Sequence, residues 1–233
     1  MVRGVNALIV NDLAGWRGAA RPYALVFLLA TVVFVAGKVW VPGFGASFVI
    51  KVIPALSLAL AATRWPGLAR RARITLLAAA LLCGAGDVIL DLDRGRYFVP
   101  GLVAFLLAHL SFSAHFWPRR VAASPRRWGV LAVLIFCAGM TALLWPHLGA
   151  LRLPVLAYIA VITLMVSAVI MSDAHPLAVA GSVAFMLSDA LLAWAKFVSP
   201  GWPPQPFNVS VYFLGLGLLG FGALIPPSRP APT

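Results

Sequence analysis

Long apolar runs recur along the whole chain, and they restrict its fold more than any other feature. The runs are near 20 residues each, and short loops rich in glycine, proline and arginine separate them. A helix needs about 20 apolar residues to cross the hydrocarbon core of a bilayer. We place the runs at about residues 22–40, 45–62, 74–92, 97–117, 128–146, 153–171, 176–197 and 207–226. The sequence therefore predicts an all-α, polytopic membrane bundle of about eight transmembrane helices.

Composition supports this fold class and argues against others. Of the 233 residues, 62% are hydrophobic and only 10% are charged, and the mean hydropathy is +0.98. A soluble domain is about 45–50% apolar and about 25% charged, so much of this chain must face lipid. The alternation typical of a membrane β-barrel is absent. The net charge of +12 comes from basic residues in the loops, where they act as topological signals, so we expect no nucleic-acid partner.

The loops also determine the domain organisation and the orientation. No loop is long enough for a second domain, so we expect a cytoplasmic N-terminal segment at 1–21, one transmembrane domain at 22–226 and a disordered tail at 227–233. The N-terminal segment has no cleavage site after a short apolar core, and we predict no removable signal peptide. Twelve loop Lys and Arg residues lie on one side of the bundle and five on the other. Basic loops favour the cytoplasm, so both termini should be cytoplasmic.

A weak internal similarity suggests a repeat. Residues 86–90 (Gly-Asp-Val-Ile-Leu) resemble residues 188–192 (Ser-Asp-Ala-Leu-Leu), and Pro54 and Pro154 lie at nearly the same offset. A four-helix unit used twice in parallel orientation would place the two aspartates symmetrically about an axis along the membrane normal. Two short matches also arise by chance, so the 4+4 repeat and a chance similarity both stay open.

Four ionisable side chains lie at membrane depth and form the candidate site: Lys51, Asp87, His109 and Asp189. A charged side chain in the bilayer centre costs at least about 2.5–3.5 kcal/mol on insertion scales, which makes it a functional candidate. Counted from the span ends, all four lie in the outer half of the bilayer. Alternatively, each only forms an ion pair or hydrogen bond that holds the helices together.

The remaining ionisable residues argue against a metal site. Asp91 and Asp93 lie near an outer loop, where we expect them to be solvated. Zinc usually takes three protein ligands, and one histidine at mid-depth is too few, so we expect neither a metal nor another cofactor. Cys83 and Cys137 lie within apolar runs and predict neither a disulfide framework nor a zinc motif.

Taken in order, these residues resemble the lysoplasmalogenase-like family of membrane proteins, also called YhhN-like, whose members have eight spans. The matching stretches are residues 50–54 (Ile-Lys-Val-Ile-Pro), 86–90, 97–101 (Tyr-Phe-Val-Pro-Gly) leading to Phe105 and His109, 180–185 (Ala-Gly-Ser-Val-Ala-Phe) leading to Ser188 and Asp189, and 196–197 (Lys-Phe). Two positions depart from the family pattern. Phe112 stands where a tyrosine is usual, and residues 212–216 lack the usual glutamine, so head-group preference could differ.

The resemblance implies hydrolysis of the vinyl ether of lysoplasmalogens to a fatty aldehyde and a glycerophospho-alcohol. That reaction needs a carboxylic acid that protonates the β-carbon, and a carboxylate that stabilises the resulting cation and activates water. We predict that Asp87 and Asp189 are this pair, without assigning the acid and the base. The predicted supporting or substrate-binding residues are Lys51, His109, Ser188, Tyr158 and Tyr212.

Two other functions remain open at this point. A proton-coupled transporter would use the same Asp, His and Lys side chains as a relay. A lipid-binding membrane protein would use them without turnover. For the hydrolase, the expected partners are a lysophospholipid and the bilayer, and the expected location is the bacterial inner membrane; the sequence does not predict an oligomeric state.

Overall fold

The computed structural model describes residues 2–41, 47–121 and 126–225, with side chains from residue 18 onward. Within those ranges the regular structure is helical, apart from one isolated bridge between Arg120 and Ser172. The α-helices, in chain order, are α1 (Val2–Trp40), α2 (Ser47–Lys51), α3 (Ile53–Arg64), α4 (Arg70–Leu92), α5 (Phe98–Phe116), α6 (Arg127–Leu144), α7 (Arg152–Ile170), α8 (Pro176–Phe197) and α9 (Gln205–Ala223). Each overlaps an apolar run, because a helix satisfies its backbone hydrogen bonds within itself in lipid.

Eight segments of the described chain are long and apolar enough to cross a membrane. Helices α2 and α3 together form one of them, and short 3-10 turns extend three others. Their ends differ from the predicted ends by at most four residues. The predicted all-α fold with about eight spans is therefore confirmed, and the chain is a multi-pass membrane protein.

The two predicted end segments have different outcomes. Helix α1 begins at Val2, so most of the segment 1–21 is helical and continuous with the first span, which itself begins at Gly18. The cytoplasmic location of that segment stays a prediction. The predicted tail at 227–233 lies outside the described residues.

A discontinuity divides the second span between α2 and α3. The break falls at Val52, and Pro54 lies in the first turn of α3. Proline has no backbone N–H to donate to the preceding turn, and it is tolerated best where a helix begins. Lys51 is consequently the last residue of α2, at the break itself, with its side chain buried.

The closest helix packing occurs in two antiparallel pairs, α4 with α5 and α8 with α9. Glycines permit the second pair: a side chain on Gly181 would collide with the backbone at Leu219, and one on Gly215 would collide with the backbone at Phe185. Small residues at membrane helix interfaces let backbones approach in this way. Helix α9 is the most buried span and α6 the least, so α9 lies inside the bundle and α6 faces the surrounding lipid.

Candidate active site

Asp87 lies on α4 and is held by a cation and a hydroxyl. Lys51 Nζ lies 3.2 Å from Asp87 Oδ1, and the Tyr212 hydroxyl donates to Oδ2 at 2.6 Å. Lys51 Nζ also donates to the Asp87 backbone carbonyl at 3.4 Å. Both side chains of the ion pair are almost fully buried, so the charge of each requires the other.

Asp189 lies on α8 and is held by two groups without a fixed charge. The Tyr158 hydroxyl donates to Asp189 Oδ2 at 2.7 Å, and His109 Nε2 lies 3.1 Å from the same oxygen. His109 Nε2 is also 3.0 Å from the Tyr158 hydroxyl oxygen. In the part of the chain that the structure describes, no Lys or Arg nitrogen lies within 4 Å of the Asp189 carboxyl.

The two ring nitrogens of His109 have different surroundings. The residue is fully buried, and among the described residues its Nδ1 has no hydrogen-bond partner. A protonated imidazole would carry an N–H on both nitrogens, and the one on Nδ1 would be buried and unpaired, which is costly. We therefore assign the tautomer with the proton on Nε2, where it donates toward Asp189 and Tyr158.

The hydrogen bonds of the two carboxyls follow the proposed parallel repeat. If spans one to four form one half and spans five to eight the other, α4 and α8 are equivalent helices. Asp87 receives one donor from the preceding span of its own half and one from the last span of the other half. Asp189 receives its donors from the two equivalent spans. Two-fold placement of the donors supports the repeat more strongly than the two sequence matches do.

A polar cavity, which we call the polar chamber, lies between these helices in the predicted outer half. It has about 350 Å³ of empty space, its opening included. Its walls contain Lys51, Asp87, Arg94, Ser188, Asp189, Asn208 and Tyr212, together with apolar residues. Both carboxyl residues thus line one cavity, as a shared site requires.

An apolar cavity adjoins it, and we call it the apolar chamber. It lies among α5, α6, α7 and α8 and has about 690 Å³ of empty space, its opening included. Side chains such as Leu102, Phe136, Met140 and Val155 form its walls. Four residues line both chambers: Leu90, Phe105, Asp189 and Leu192. Asp189 is therefore an acidic group in the wall shared by a polar and an apolar space.

The structure brings all seven predicted site residues into this region, although not all of them reach a cavity. Ser188 lines the polar chamber, but its hydroxyl donates to the carbonyl of Phe185. Tyr158 lines the apolar chamber. His109 lines neither chamber and reaches the site only through Asp189 and Tyr158. Their roles in catalysis or binding stay predictions.

The prediction for Asp91 is wrong. We expected it to be solvated, yet its side chain is almost completely buried, accepts a hydrogen bond from Ser47 and lies 3.5 Å from Lys38. Helices α1 and α2 cover this face of α4, which a count of residues from the loop does not reveal. Asp93 is exposed, as expected, and accepts hydrogen bonds from two loop N–H groups.

Sequence reasoning missed two residues of the polar chamber, Arg94 and Asn208. Arg94 lies in a loop, where the sequence indicated only a topological signal. Asn208 lies near the start of the last span and belongs to no motif. A polar amide inside a span was the one signal that could have identified Asn208. Within the described ranges, no three His, Cys, Asp or Glu side chains cluster as metal ligands would.

Comparison with known families agrees with this geometry. The YhhN family matches residues 46–223, which include both aspartates and every donor described above. This chain belongs to the YhhN family. The match leaves out α1, which packs against the family region along α3 and α9.

Relatives of this YhhN-family protein carry informative names. It is similar to proteins named lysoplasmalogenase from Mycobacterium bovis and Mycobacterium tuberculosis, each 34% identical over 206 residues, covering 82% of this chain and 75% of the relative. It is also 30% identical over 205 residues to human lysoplasmalogenase TMEM86B, covering 86% of each chain. No solved structure matches the chain significantly.

Proposed function

We propose that this YhhN-family protein is a lysoplasmalogenase, a membrane hydrolase that cleaves the vinyl ether of lysoplasmalogens. The observation that carries the proposal is the position of Asp189 in the wall shared by the two chambers, with Asp87 in the polar one. In a lysoplasmalogen the vinyl ether joins the apolar chain to the polar glycerophosphate. A lipid with its chain in the apolar chamber and its polar part in the polar chamber would have that bond beside Asp189. The names of the relatives support the same activity.

Asp189 acts as the general acid. Its two donors are neutral and both reach Oδ2. Among the described residues no donor reaches Oδ1, so this oxygen is the one that can hold the proton. Among the described residues no Lys or Arg nitrogen lies within 4 Å of the carboxyl, so no ion pair has to break when it takes up a proton. A neutral carboxylic acid in the shared wall is placed to protonate the β-carbon of the vinyl ether.

Asp87 acts as the carboxylate. Lys51 balances its charge, and the Tyr212 hydroxyl donates a second contact. Each carboxylate oxygen has two lone-pair directions, so both keep capacity to accept a proton from water after these contacts. A negative charge in a water-poor cavity also stabilises a cation formed nearby, because the interaction is screened weakly there.

The reaction then proceeds in three steps. The Asp189 proton adds to the β-carbon, the double-bond electrons form the new C–H bond, and the α-carbon becomes part of an oxocarbenium ion. Water adds to that carbon and gives a proton to Asp87, which leaves a hemiacetal. The hemiacetal C–O bond to glycerol breaks, the glycerol oxygen takes the proton from Asp87, and the hemiacetal hydroxyl gives its proton to Asp189, which restores both carboxyl groups. One water is consumed, and the products are a fatty aldehyde and a glycerophospho-alcohol.

The location follows from the loop charges and the depth of the site. We propose that the protein lies in the bacterial inner membrane with both termini in the cytoplasm, since basic residues dominate the loops on that side. Both chambers then lie in the outer half of the bilayer. The substrate is accordingly a lysophospholipid of the outer leaflet, with its chain directed toward the membrane centre.

Aldehyde release tests the proposal. Purified protein is incubated with a lysoplasmalogen, with its saturated 1-O-alkyl counterpart and with a diacyl phospholipid, and fatty aldehyde is measured. We expect aldehyde from the lysoplasmalogen alone, because only a vinyl ether forms the cation by protonation. Asp173→Asn is the matched control, since Asp173 pairs with Arg119 at the opposite end of the bundle. Lysolipid transport into vesicles without aldehyde release would instead support a carrier.

A further inference from the structure

Two polar residues of the polar chamber have no part in the reaction described above. Asn208 lies on α9 and Arg94 follows α4, and both line the chamber. We propose that Asn208 binds the free sn-2 hydroxyl of a lysophospholipid and that Arg94 binds its phosphate, so that this pair selects single-chain phospholipids. The inference rests on the proposed function and adds the residues that recognise the substrate's polar part.

The Asn208 carboxamide is buried and incompletely bonded. The residue is only 8% exposed, and its Oδ1 has no hydrogen-bond partner in the part of the chain that the structure describes. A buried acceptor without a partner destabilises the folded state, so a ligand that supplies the missing hydrogen bond would bind there favourably. The neighbouring chamber is the space from which such a ligand reaches it.

A hydroxyl is the ligand group that matches a carboxamide. It can donate to Oδ1 and accept from Nδ2, and a carboxamide with its two ends exchanged would offer the same pair of contacts. The sn-2 oxygen of a two-chain lipid is acylated, so it has no hydrogen to donate, and its second chain would have to fit a cavity with polar walls. The carboxamide thus favours lysolipids over two-chain lipids.

The two lysines in and near the polar chamber are paired with aspartates, so Arg94 is available to bind an anion. Lys51 pairs with Asp87, and Lys38 pairs with Asp91. Among the described residues no carboxylate oxygen lies within 4 Å of the Arg94 guanidinium. Arg94 is half-buried, and burial lowers the pKa of its guanidinium while nearby Asp91 opposes that shift. A phosphate would supply paired, charged hydrogen bonds to this desolvated group.

The order of these groups along the bundle matches the order of groups in the lipid. Asn208 lies four residues from Tyr212 toward the predicted outer end of α9, or about 6 Å at the helical rise. Arg94 lies beyond the outer end of α4, further from Asp87. Going outward, the chamber therefore presents carboxyls, then a carboxamide, then a guanidinium. In a lysoplasmalogen the vinyl ether, the hydroxyl and the phosphate are attached to successive carbons of glycerol.

Binding of ligands that cannot be cleaved tests the pair separately from catalysis. The Asn208 probes are 1-O-hexadecyl-2-hydroxy-glycerophosphoethanolamine and the same lipid with hydrogen in place of the sn-2 hydroxyl. We expect the wild-type protein to bind the hydroxyl lipid about tenfold more tightly, as one hydrogen bond to a buried group would give. Asn208→Leu and Asn208→Ala should bind both lipids equally. Ser210→Ala is the matched control, because Ser210 is on the same helix but lines a different groove.

For Arg94 the probes are the same hydroxyl lipid and 1-O-hexadecylglycerol, which lacks phosphate. We expect Arg94→Gln to weaken binding of the phospholipid about tenfold and to leave binding of the alkylglycerol unchanged. Arg96→Gln, at an exposed position of the same loop, should alter neither. An unchanged preference in both folded Asn208 variants, or an equal loss for both ligands in Arg94→Gln, would overturn the inference. Since no probe is cleaved, this result is independent of whether the protein releases aldehyde.

Discussion

The surroundings of Asp87 and of Asp189 are equivalent in topology and different in charge. Each carboxyl accepts from a tyrosine hydroxyl and from one nitrogen-bearing side chain, and equivalent spans supply the two pairs of donors, although the tyrosine and the nitrogen exchange places between them. The nitrogen is a lysine ammonium at Asp87 and a histidine ring at Asp189. A lysine ammonium favours the ionised form of a carboxyl beside it, whereas a neutral imidazole adds no positive charge.

This difference shows how a repeated unit can support acid–base chemistry. Two carboxyls that do not interact and have identical surroundings would bind a proton equally well, and general acid–base catalysis requires two different protonation states. Both equivalent donor positions differ between the halves, because Lys51 corresponds to Tyr158 and His109 corresponds to Tyr212. In the proposed mechanism, the position of Asp189 against the apolar chamber gives the acid access to a lipid chain, whereas Asp87 lines only the polar chamber.

Removal of either carboxyl gives the largest expected effect on activity. Asp87→Asn and Asp189→Asn keep the side-chain size but abolish proton transfer, so aldehyde release should fall by about 10²–10⁴-fold in each. If the two residues work as one unit, the double variant should be little worse than either single one. Thermal unfolding of the same samples checks that the variants are folded. Substantial turnover in both folded Asn variants would leave the mechanism without its acid and its base.

Lys51→Met tests the charge at Asp87. Loss of one member of a buried ion pair leaves an uncompensated charge, so the free energy of unfolding should fall by about 3–5 kcal/mol. Lys51→Met combined with Asp87→Asn should recover much of that loss, because no charge then remains to be balanced. His109→Gln is the comparison at Asp189, and it should cost only about 0.5–1.5 kcal/mol, as for a neutral hydrogen bond. Equal losses at the two sites, measured by denaturant unfolding in micelles, would contradict the difference in charge.

The two tyrosines test the same difference on a smaller scale. Tyr212→Phe removes a hydrogen bond to an ionised carboxylate, which we expect to cost about 1.5–3 kcal/mol of stability. Tyr158→Phe removes one to a neutral acid, with an expected cost of about 0.5–1.5 kcal/mol. Unfolding of both variants under the same conditions gives the comparison. A larger loss for Tyr158→Phe would reverse the assignment of acid and base.

The last prediction concerns the orientation of the bundle in the membrane, which is the same for both carboxyls. It is tested without a change in activity. Reporter fusions after Arg71, Arg127 and Pro230 should all indicate the cytoplasm, because basic residues are concentrated on that side. The described chain would then have both chambers in the outer half. A signal from the opposite side at the loop near Arg127 would invert the bundle and move the site to the inner leaflet.

The sequence alone was enough for the architecture and for four of the buried ionisable side chains. Whether a helix spans a membrane depends on the apolar content of about 20 consecutive residues, which is a local property of the sequence. The ends of the eight spans were therefore predictable to within four residues. The cost of an ion in lipid made Lys51, Asp87, His109 and Asp189 candidates for the same reason. The depth of a residue in the bilayer follows from its position along its helix, so the similar depth of these four side chains was predictable as well.

Only the tertiary structure decided which groups meet. Tyr212 donates to Asp87 across 125 positions of sequence, and nothing local indicates how α9 is rotated toward α4. The same limitation hid the burial of Asp91 and the placement of Arg94 and Asn208 in the polar chamber. Lateral neighbours in a bundle depend on helix rotation and close packing at small residues, which hydropathy does not encode. The difference in charge between the donors of the two carboxyls therefore became visible only when the helices were placed side by side.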